Sequence, residues 1–176
     1  MHSDDRYRDL TMCTFDTVPS FTLPAGWCKV IDVYDCDTCR IAMYVGNEIY
    51  QFVVRLQMVD SPEIRPRKST NANLERRAAR IARTRMIELC VGESGLSHEP
   101  RKKTRRRCGV SRQLVRLEPA GMDKYGRVLG KLYMNDDPRS INEILLDEGY
   151  VRPYNGGVRH LWTPEELNAI VAIRQS

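Results

Sequence analysis

The sequence contains no long hydrophobic run. Among its 176 residues, no apolar stretch approaches the ~18 that a membrane span requires, which argues against an integral membrane protein. Residues 1–9 carry acidic side chains where a secretory signal needs a basic start and then an apolar run. We therefore expect an intracellular protein, long enough for one domain with a real core and too short for two ordinary ones.

Histidine is scarce, with three residues, and this limits what the six cysteines can do. A chain of this length without a secretory signal is expected to keep its cysteines reduced rather than to form a disulfide framework. Cys36 and Cys39 have the C-x-x-C spacing of a redox pair or of half a zinc site. No second C-x-x-C and no histidine pair completes four ligands, so the pattern disfavours zinc.

Positive charge is concentrated in one segment. The net charge of the chain is +5, and segment 101–107 alone carries six basic residues, which leaves the rest of the chain at −1. Such a segment can neutralise the phosphates of a nucleic acid or serve as a nuclear-localisation signal. We expect it to form part of a loop insertion over residues 92–111. Its basic residues are Arg101, Lys102, Lys103, Arg105, Arg106 and Arg107.

Apolar residues that alternate along the chain predict five strands. The strands are expected at residues 27–34, 39–45, 48–59, 113–118 and 128–134, with an acidic loop between the first two. In the third strand Phe52, Val54, Leu56 and Met58 share one face. Arg55 is therefore predicted to point to the opposite face of that strand.

Three helices are predicted in the remaining sequence. The first carries an apolar stripe at helical spacing that ends near Leu89, the second runs from about Pro138 and stops at Gly149, and a capping box at 163–166 opens the third. Residues 1–24 show no sustained period and are interpreted as an extension, which leaves 25–176 as the domain. Short strands early and helices late predict an α+β fold.

Four short segments carry the chemistry. They are Asp35-Cys36-Asp37-Thr38, Val54-Arg55-Leu56, Asp60-Ser61-Pro62-Glu63 and Asp123-Lys124-Tyr125-Gly126-Arg127. Hydrolysis of a phosphodiester needs an activated water, positive charge at the phosphate oxygens and a stabilised leaving oxygen. The four segments supply carboxylates for a hard cation, a further carboxylate for a base and two arginines for a phosphate. The combination suits phosphodiester hydrolysis.

These segments and their order resemble the staphylococcal nuclease (thermonuclease) family, whose pattern is D-G-D-T, an arginine on a strand, D-[TS]-P-E and D-x-Y-G-R. The resemblance runs from about Val30 to the last helix. It implies a five-stranded OB-fold β-barrel with three α-helices. It also implies a Ca²⁺-dependent, sugar-nonspecific nuclease that cleaves DNA and RNA, preferring single strands, and leaves 5′-hydroxyl and 3′-phosphate ends.

The resemblance implies a metal site and a base. Asp37, Asp60 and the backbone carbonyl of Ser61 would hold Ca²⁺, whose shell takes about 6–8 oxygens. Asp35 would act through a water molecule and orient the Ca²⁺ ligands. Glu63 would be the general base that activates the attacking water.

The resemblance also implies the residues that hold the substrate. Arg55 and Arg127 would clamp the phosphate, since a guanidinium is permanently charged and binds two oxygens at once. Lys124 and Tyr125 would lie beside the terminal phosphate and the sugar of a bound nucleotide. Tyr154 would be one of the family's substrate-stacking tyrosines, although the segment around it departs from the family's pattern.

Cys36 replaces the glycine of the D-G-D-T pattern. If that position requires a positive φ, its Cβ costs about 1–2 kcal/mol and can displace Asp35 or Asp37. The alternative is a loop that has relaxed to a conformation that cysteine tolerates. The sequence leaves both possibilities open.

Other functions are compatible with parts of the pattern. Taken singly, an aspartate in a turn is usually a cap, and an arginine–carboxylate pair is usually a weak surface contact. A catalytically silent module of the same family, binding nucleic acid or protein in a ribonucleoprotein complex, would usually lack the acids, the base or the arginines. An oligonucleotide-binding domain without chemistry would place aromatic residues along its strands, yet only 7% of the chain is aromatic.

Overall fold

The computed structural model of the chain describes residues 5–66, 70–92, 112–135 and 137–173. Seven strands lie in these ranges. They are β1 (Gly26–Asp35), β2 (Thr38–Val45), β3 (Glu48–Leu56), β4 (Val59–Asp60), β5 (Val115–Met122), β6 (Val128–Met134) and β7 (Arg152–Pro153). The helices are α1 (Asp5–Arg8), a 3-10 turn (Asp9–Met12), α2 (Ala72–Val91), α3 (Ile141–Asp147) and α4 (Pro164–Ile173).

Five strands form a closed barrel in the order β1-β2-β3-β6-β5. Neighbours along the chain pair antiparallel, whereas β3 and β6 pair in parallel. The barrel closes where Gly26 of β1 lies opposite Leu117 of β5. Closure leaves no long sheet edge open to other chains. The barrel with its three longer helices confirms the α+β architecture predicted from the sequence.

The helices are capped by local hydrogen bonds. Ser140 and Glu143 form a capping box at the start of α3. At its end, Gly149 has φ 77° and donates its N–H to the Leu146 carbonyl, while the Tyr150 N–H reaches back one residue further. Thr163 and Glu166 form the predicted capping box of α4, with the Thr163 N–H donating to the Glu166 carboxylate at 2.7 Å.

The core fills the barrel and the space beneath the helices. Alternate residues of the strands point inward and are fully buried, as a barrel requires. Helix α2 packs against β1, α3 and α4, and Ala78, Ala82 and Met86 of α2 are also fully buried. The inward-facing strand residues include Val33, Ile41, Val54, Leu56, Val115, Leu117 and Leu132.

The structure corrects two predicted boundaries. The third strand ends at Leu56, and Met58 is exposed with φ 65°, so it lies in a turn before β4 rather than on the apolar face. The second predicted helix begins at Ile141 rather than near Pro138, because Ser140 supplies the capping side chain. The pairing of β4 with β7 was not predicted from the sequence.

The predicted appendages lie at the periphery or outside the described ranges. Residues 7–22 are all exposed, and Leu23 is the first buried residue. Of the predicted basic insertion 92–111, residues 93–111 lie outside the described ranges, and with them all six predicted nucleic-acid-binding side chains. Within those ranges, no helix is both long and apolar enough to cross a membrane.

Candidate active site

The turn between β1 and β2 places the first carboxylate beside the first arginine. Thr38 at the start of β2 lies opposite Arg55 of β3, and the Leu56 N–H donates to the Asp37 carbonyl at 2.8 Å. Asp37 is buried. Its Oδ1 accepts a hydrogen bond from the Thr38 hydroxyl at 2.8 Å, and its Oδ2 accepts one from Arg55 Nη1 at 2.6 Å. As predicted, Arg55 lies on the face opposite to the buried side chain of Leu56.

The short strand β4 carries the second carboxylate. Asp60 is fully buried, and its Oδ1 lies 3.8 Å from Arg55 Nη2. The next residue, Ser61, donates its N–H to Asp37 Oδ2 at 3.2 Å. One guanidinium therefore joins Asp37 and Asp60, and the predicted ligands lie together.

Asp35 and Glu63 complete this group. Asp35 Oδ1 accepts the N–H of Ile64 at 3.2 Å, so Asp35 holds the backbone directly after Glu63. The N–H of Glu63 donates to Oε1 of Glu75 at 3.1 Å, and Glu75 is buried in the first turn of α2. The Glu63 side chain itself is 39% exposed, so solvent can reach its carboxylate.

A tight turn between β5 and β6 forms a second group. Asp123 Oδ1 accepts the N–H groups of Tyr125 and Arg127, each at 2.9 Å. Asp123 Oδ2 accepts Arg127 Nε and lies 2.7 Å from Arg127 Nη2, so the guanidinium is bound at both nitrogens. Lys124 and Tyr125 are exposed at the tip, with the Lys124 Nζ 5.2 Å from the Tyr125 ring centroid.

The two groups lie on neighbouring strands. Arg55 of β3 is in register with Leu129 of β6, and Arg127 precedes Leu129 by two residues, so both arginines belong to the outward face of the barrel. Among the described side chains, Arg127 forms its ion pair with Asp123 and none with the carboxylates around Arg55. The barrel therefore puts the two predicted clamps on one face without bringing them into one network.

Tyr154 lies at the border of the first group. Its ring centroid is 5.8 Å from the Arg55 guanidinium carbon. Its N–H donates to the Met58 carbonyl at 3.0 Å, and its hydroxyl donates to the Gly157 carbonyl at 2.9 Å. The predicted stacking tyrosine is thus anchored beside a predicted phosphate-binding arginine.

Two arginines that the sequence did not single out also reach the carboxylates. Arg152 of β7 lies 3.1 Å from Asp60 Oδ2 through Nη2, and its guanidinium carbon stacks 4.1 Å from the Trp162 ring centroid. Arg159 places Nε 2.7 Å from Asp60 Oδ1, donates from Nη2 to the Ser61 carbonyl at 2.6 Å, and binds Glu63 through Nη1. Neither arginine belongs to a motif, and only the departure of the segment from the family's pattern signalled a difference here.

Burial and like charge shift the acidity of this group. Burial, together with the nearby charge of Asp37, raises the pKa of Asp35 to about 7. Burial also raises the pKa of Asp60, and the charges of Arg159, Arg152 and Arg55 oppose that rise. Burial lowers the pKa of Arg159, but the carboxylates around it outweigh burial and raise that pKa overall.

The carboxylates and carbonyl offer a plausible donor set for a hard cation. Asp60 Oδ1 is buried and accepts no hydrogen bond, because the nearby Arg159 Nε–H is not directed at it. A buried carboxylate oxygen without a donor fits a metal ligand. Within the described ranges no three His, Cys, Asp or Glu side chains are grouped for metal binding. The oxygens that the predicted ligands bring together are those of two carboxylates, Asp37 and Asp60, and the Ser61 carbonyl.

Cys36 is accommodated without backbone strain. In the described ranges the only residues other than glycine with positive φ are Met58 and Asn135, so Cys36 avoids the left-handed region. Its side chain is fully buried in the core, and burial raises the pKa of its thiol well above the usual value. Of the two alternatives, the relaxed loop is the one observed. Cys36 and Cys39 form no disulfide bond, and neither do the other cysteines in the described ranges.

A comparison with protein families matches residues 53–169 to a model described as staphylococcal nuclease homologue. The match spans Arg55, the segment from Asp60 to Glu63, Arg127 and both unpredicted arginines, and it begins after the β1–β2 turn. A comparison with curated proteins found no match.

Proposed function

The chain belongs to the staphylococcal nuclease homologue family, and from this premise we propose that it is a Ca²⁺-dependent nuclease that hydrolyses phosphodiester bonds of DNA and RNA. The observation that carries the proposal is the meeting of Asp37, Asp60, Ser61 and Glu63 around arginine side chains at one side of the barrel. Asp37 comes from the turn between β1 and β2, whereas Asp60, Ser61 and Glu63 come from the segment that begins at β4, so two separate parts of the chain supply the group.

Asp37, Asp60 and the Ser61 carbonyl are the residues that would hold Ca²⁺. Oxygen donors of this kind suit a hard cation with a flexible shell, whereas Mg²⁺ demands a stricter geometry. When bound, the cation supplies positive charge to the phosphate oxygens and a place for an ordered water. Asp35, through its bond to the Ile64 N–H, holds the chain next to the base.

Glu63 is proposed as the general base. Its carboxylate takes a proton from the attacking water, whose oxygen forms a bond to phosphorus. The bond from phosphorus to the 5′ oxygen breaks, and that oxygen takes a proton from solvent water. The products carry a 3′-phosphate and a 5′-hydroxyl. Arg55 and Arg127 neutralise the negative charge that grows on the phosphate oxygens, which is the larger electrostatic term in such reactions.

The exposed turn and Tyr154 are proposed to hold the nucleotide. Lys124 supplies charge for a terminal phosphate and Tyr125 lies beside it at the tip of the turn. Tyr154 offers a ring next to Arg55 on which a base or a sugar can rest. Single strands are the preferred substrate because their bases can splay away from the phosphate that enters the site.

The proposal is tested by cleavage of labelled single-stranded DNA and RNA with Ca²⁺ and then with EGTA. We expect cleavage only with Ca²⁺, and we expect Glu63→Gln and Arg127→Ala each to lower kcat at least ~100-fold while the fold stays intact. Glu165→Gln and Arg139→Ala are matched controls, since both residues are exposed and far along the chain from the motifs. Full activity of folded Glu63→Gln and Arg127→Ala variants would contradict the assignment.

A silent nucleic-acid-binding module is the second candidate. It is favoured by the ion pairs that Arg55, Arg152 and Arg159 make with the proposed ligands, because such pairs neutralise the carboxylates without a metal. Binding of single-stranded nucleic acid with no cleavage under any metal condition would support this candidate over the enzyme.

A further inference from the structure

Arg159 lies where the proposed site offers its oxygens to a cation. Its guanidinium contacts Asp60 Oδ1 and the Ser61 carbonyl, both proposed as Ca²⁺ ligands, and it also binds the carboxylate of Glu63, the proposed base. A guanidinium at these oxygens places positive charge and bulk where a metal ion would bind, so the two compete. Arg159 therefore contacts both the proposed metal ligands and the proposed general base.

The net charge of the cluster of carboxylates and guanidiniums around Asp60 also disfavours binding of a further cation. With every group ionised, its four carboxylates and three guanidiniums sum to a single negative charge. A divalent cation would make the group positive, whereas departure of one arginine at the same time would leave it neutral. The members are Asp35, Asp37, Asp60, Glu63, Arg55, Arg152 and Arg159.

Of the three arginines, Arg159 is the one whose surroundings permit departure. Arg55 belongs to a barrel strand, and Arg152 is held by β7, by the Trp162 ring and by Glu166. Arg159 lies in segment 155–161, in which every residue is exposed. Two glycines in that segment have φ near +90° with open space around them. Few buried contacts would be lost if this segment moved.

We propose that Arg159 is an internal competitor of Ca²⁺ and determines how tightly the site binds the metal. The inference rests on the proposed function. Without metal, Arg159 contacts Asp60 Oδ1, donates to the Ser61 carbonyl and keeps Glu63 paired. Binding of Ca²⁺ to Asp60 and Ser61 displaces the guanidinium, and Glu63 becomes free to accept a proton. The same residue therefore weakens metal affinity and holds the base inactive until metal arrives.

Calorimetric titration of CaCl₂ into the full chain tests the competition. Arg159→Gln removes the competing charge and should raise Ca²⁺ affinity about tenfold, within the usual range of coupling between two binding events. Arg159→Lys, which keeps the charge but cannot bind three partners at once, should give an intermediate value. Arg139→Gln makes the same charge change at an exposed position with weak ion pairs of 3.7 and 4.0 Å and should leave the affinity unchanged.

Hydrogen exchange supplies a readout that does not depend on activity. In the unsubstituted chain, CaCl₂ should increase the exchange rate of amides in 155–161, because displacement of Arg159 releases the segment. In Arg159→Gln the exchange of these amides should be fast with or without Ca²⁺. A structural arginine that Ca²⁺ does not displace would leave the exchange unchanged.

The outcomes separate this inference from the proposed function. Equal Ca²⁺ affinities of the unsubstituted chain and Arg159→Gln, with metal binding and cleavage intact, would overturn the competition and leave the nuclease standing. Absence of Ca²⁺ binding in every variant, with no cleavage, would overturn both. Cleavage in EGTA that is lost in Arg159→Gln would show the guanidinium acting in place of a metal and would also overturn the competition.

Discussion

One buried carboxylate determines where the backbone of Glu63 lies. Glu75 is buried in the first turn of α2 and accepts the N–H of Glu63 at 3.1 Å. It does not carry out chemistry itself, because its contact is with the backbone of the proposed base and not with a substrate. Its role in the proposed reaction is to position Glu63.

We expect Glu75→Ala to lower kcat about tenfold with little change in KM, since a misplaced base weakens the transition state more than substrate binding. Glu75→Gln retains an oxygen acceptor and should restore most of the rate. Steady-state kinetics of both variants check this. Equal losses in the Ala and Gln variants would show that the charge of Glu75, and not its hydrogen bond, is what the site uses.

Cys36 is a second position at which one side chain decides a local structure. It is fully buried and free of backbone strain. Cys36→Gly should lower the free energy of unfolding by about 2 kcal/mol, because it leaves a cavity and loosens the turn between β1 and β2. Urea denaturation measures the change. The control Cys13→Gly, at an exposed site, should change the free energy of unfolding by no more than about 0.5 kcal/mol. A gain of stability in Cys36→Gly would instead support the strained-loop hypothesis.

At the scale of elements, the start of α3 depends on the capping box. Ser140 donates from its N–H and its hydroxyl to Glu143 Oε2, both at 2.7 Å. These hydrogen bonds lower the pKa of Glu143 below its usual 4.5. Because the pKa in the folded state is the lower one, the stabilisation is present above about pH 4.5 and is lost as pH falls through the folded-state pKa.

Glu143→Gln should therefore cost about 0.5 kcal/mol of unfolding free energy at pH 7, a modest value because half of the side chain is exposed and solvent screens it. As pH falls through the folded-state pKa of Glu143, the difference between variant and parent should disappear, since Glu143 then becomes neutral as well. Thermal unfolding at a series of pH values checks the trend. A difference that grows as pH falls would contradict it, and Glu165→Gln is the control.

The sequence predicted elements well where local patterns determine them. Alternation located the five barrel strands, and capping residues located the ends of α3 and α4 to within a few residues. It failed at β4 and β7, which are two residues each and are held by pairing across the chain rather than by a pattern of their own. Met58 was misassigned for a related reason: alternation cannot detect a turn that interrupts it with a positive φ.

Likewise, the sequence predicted the site residues that belong to local motifs and missed those that do not. The motifs gave the residues that the structure brings together, from Asp35 to Glu63, because they are close in the chain and in adjacent strands. Arg152 and Arg159 come from about 90 residues further on, and their contact with Asp60 depends on how β7 returns to β4. A single sequence contains no local signal for such a return, since an arginine in an exposed segment usually just faces solvent.

At the scale of the whole molecule, charge is divided between a basic segment and a nearly neutral remainder. The six basic residues of 101–107 exceed the net charge of +5, so their removal would leave the chain at −1. Binding of a polyanion by such a segment releases counterions, and its affinity falls as salt rises. The segment lies in an insertion between α2 and β5, the helix and the strand that flank it in the chain.

We expect replacement of the six residues with Ser or Gly to weaken binding of long nucleic acids at low salt and to flatten the dependence of affinity on salt. Stability and metal binding should stay unchanged, and cleavage of a dinucleotide-sized substrate should barely change because it is too short to reach the segment. Filter binding across salt concentrations measures the slope. If the affinity and its dependence on salt are both unchanged, the segment has no part in nucleic-acid binding. Only the nuclear-localisation role then remains, and a fusion to a fluorescent reporter tests it.

The pairing of β7 with β4 affects the order in which the chain can fold during its synthesis. The carboxylates leave the ribosome within residues 35–63, whereas two of their three guanidinium partners follow only at 152 and 159. Until then Arg55 is the one described guanidinium that can pair with Asp60, and β3 lacks the neighbour β6 that closes the barrel. We therefore expect the barrel and its charged centre to be completed only after β6 and the segment that carries Arg152 and Arg159 have been synthesised.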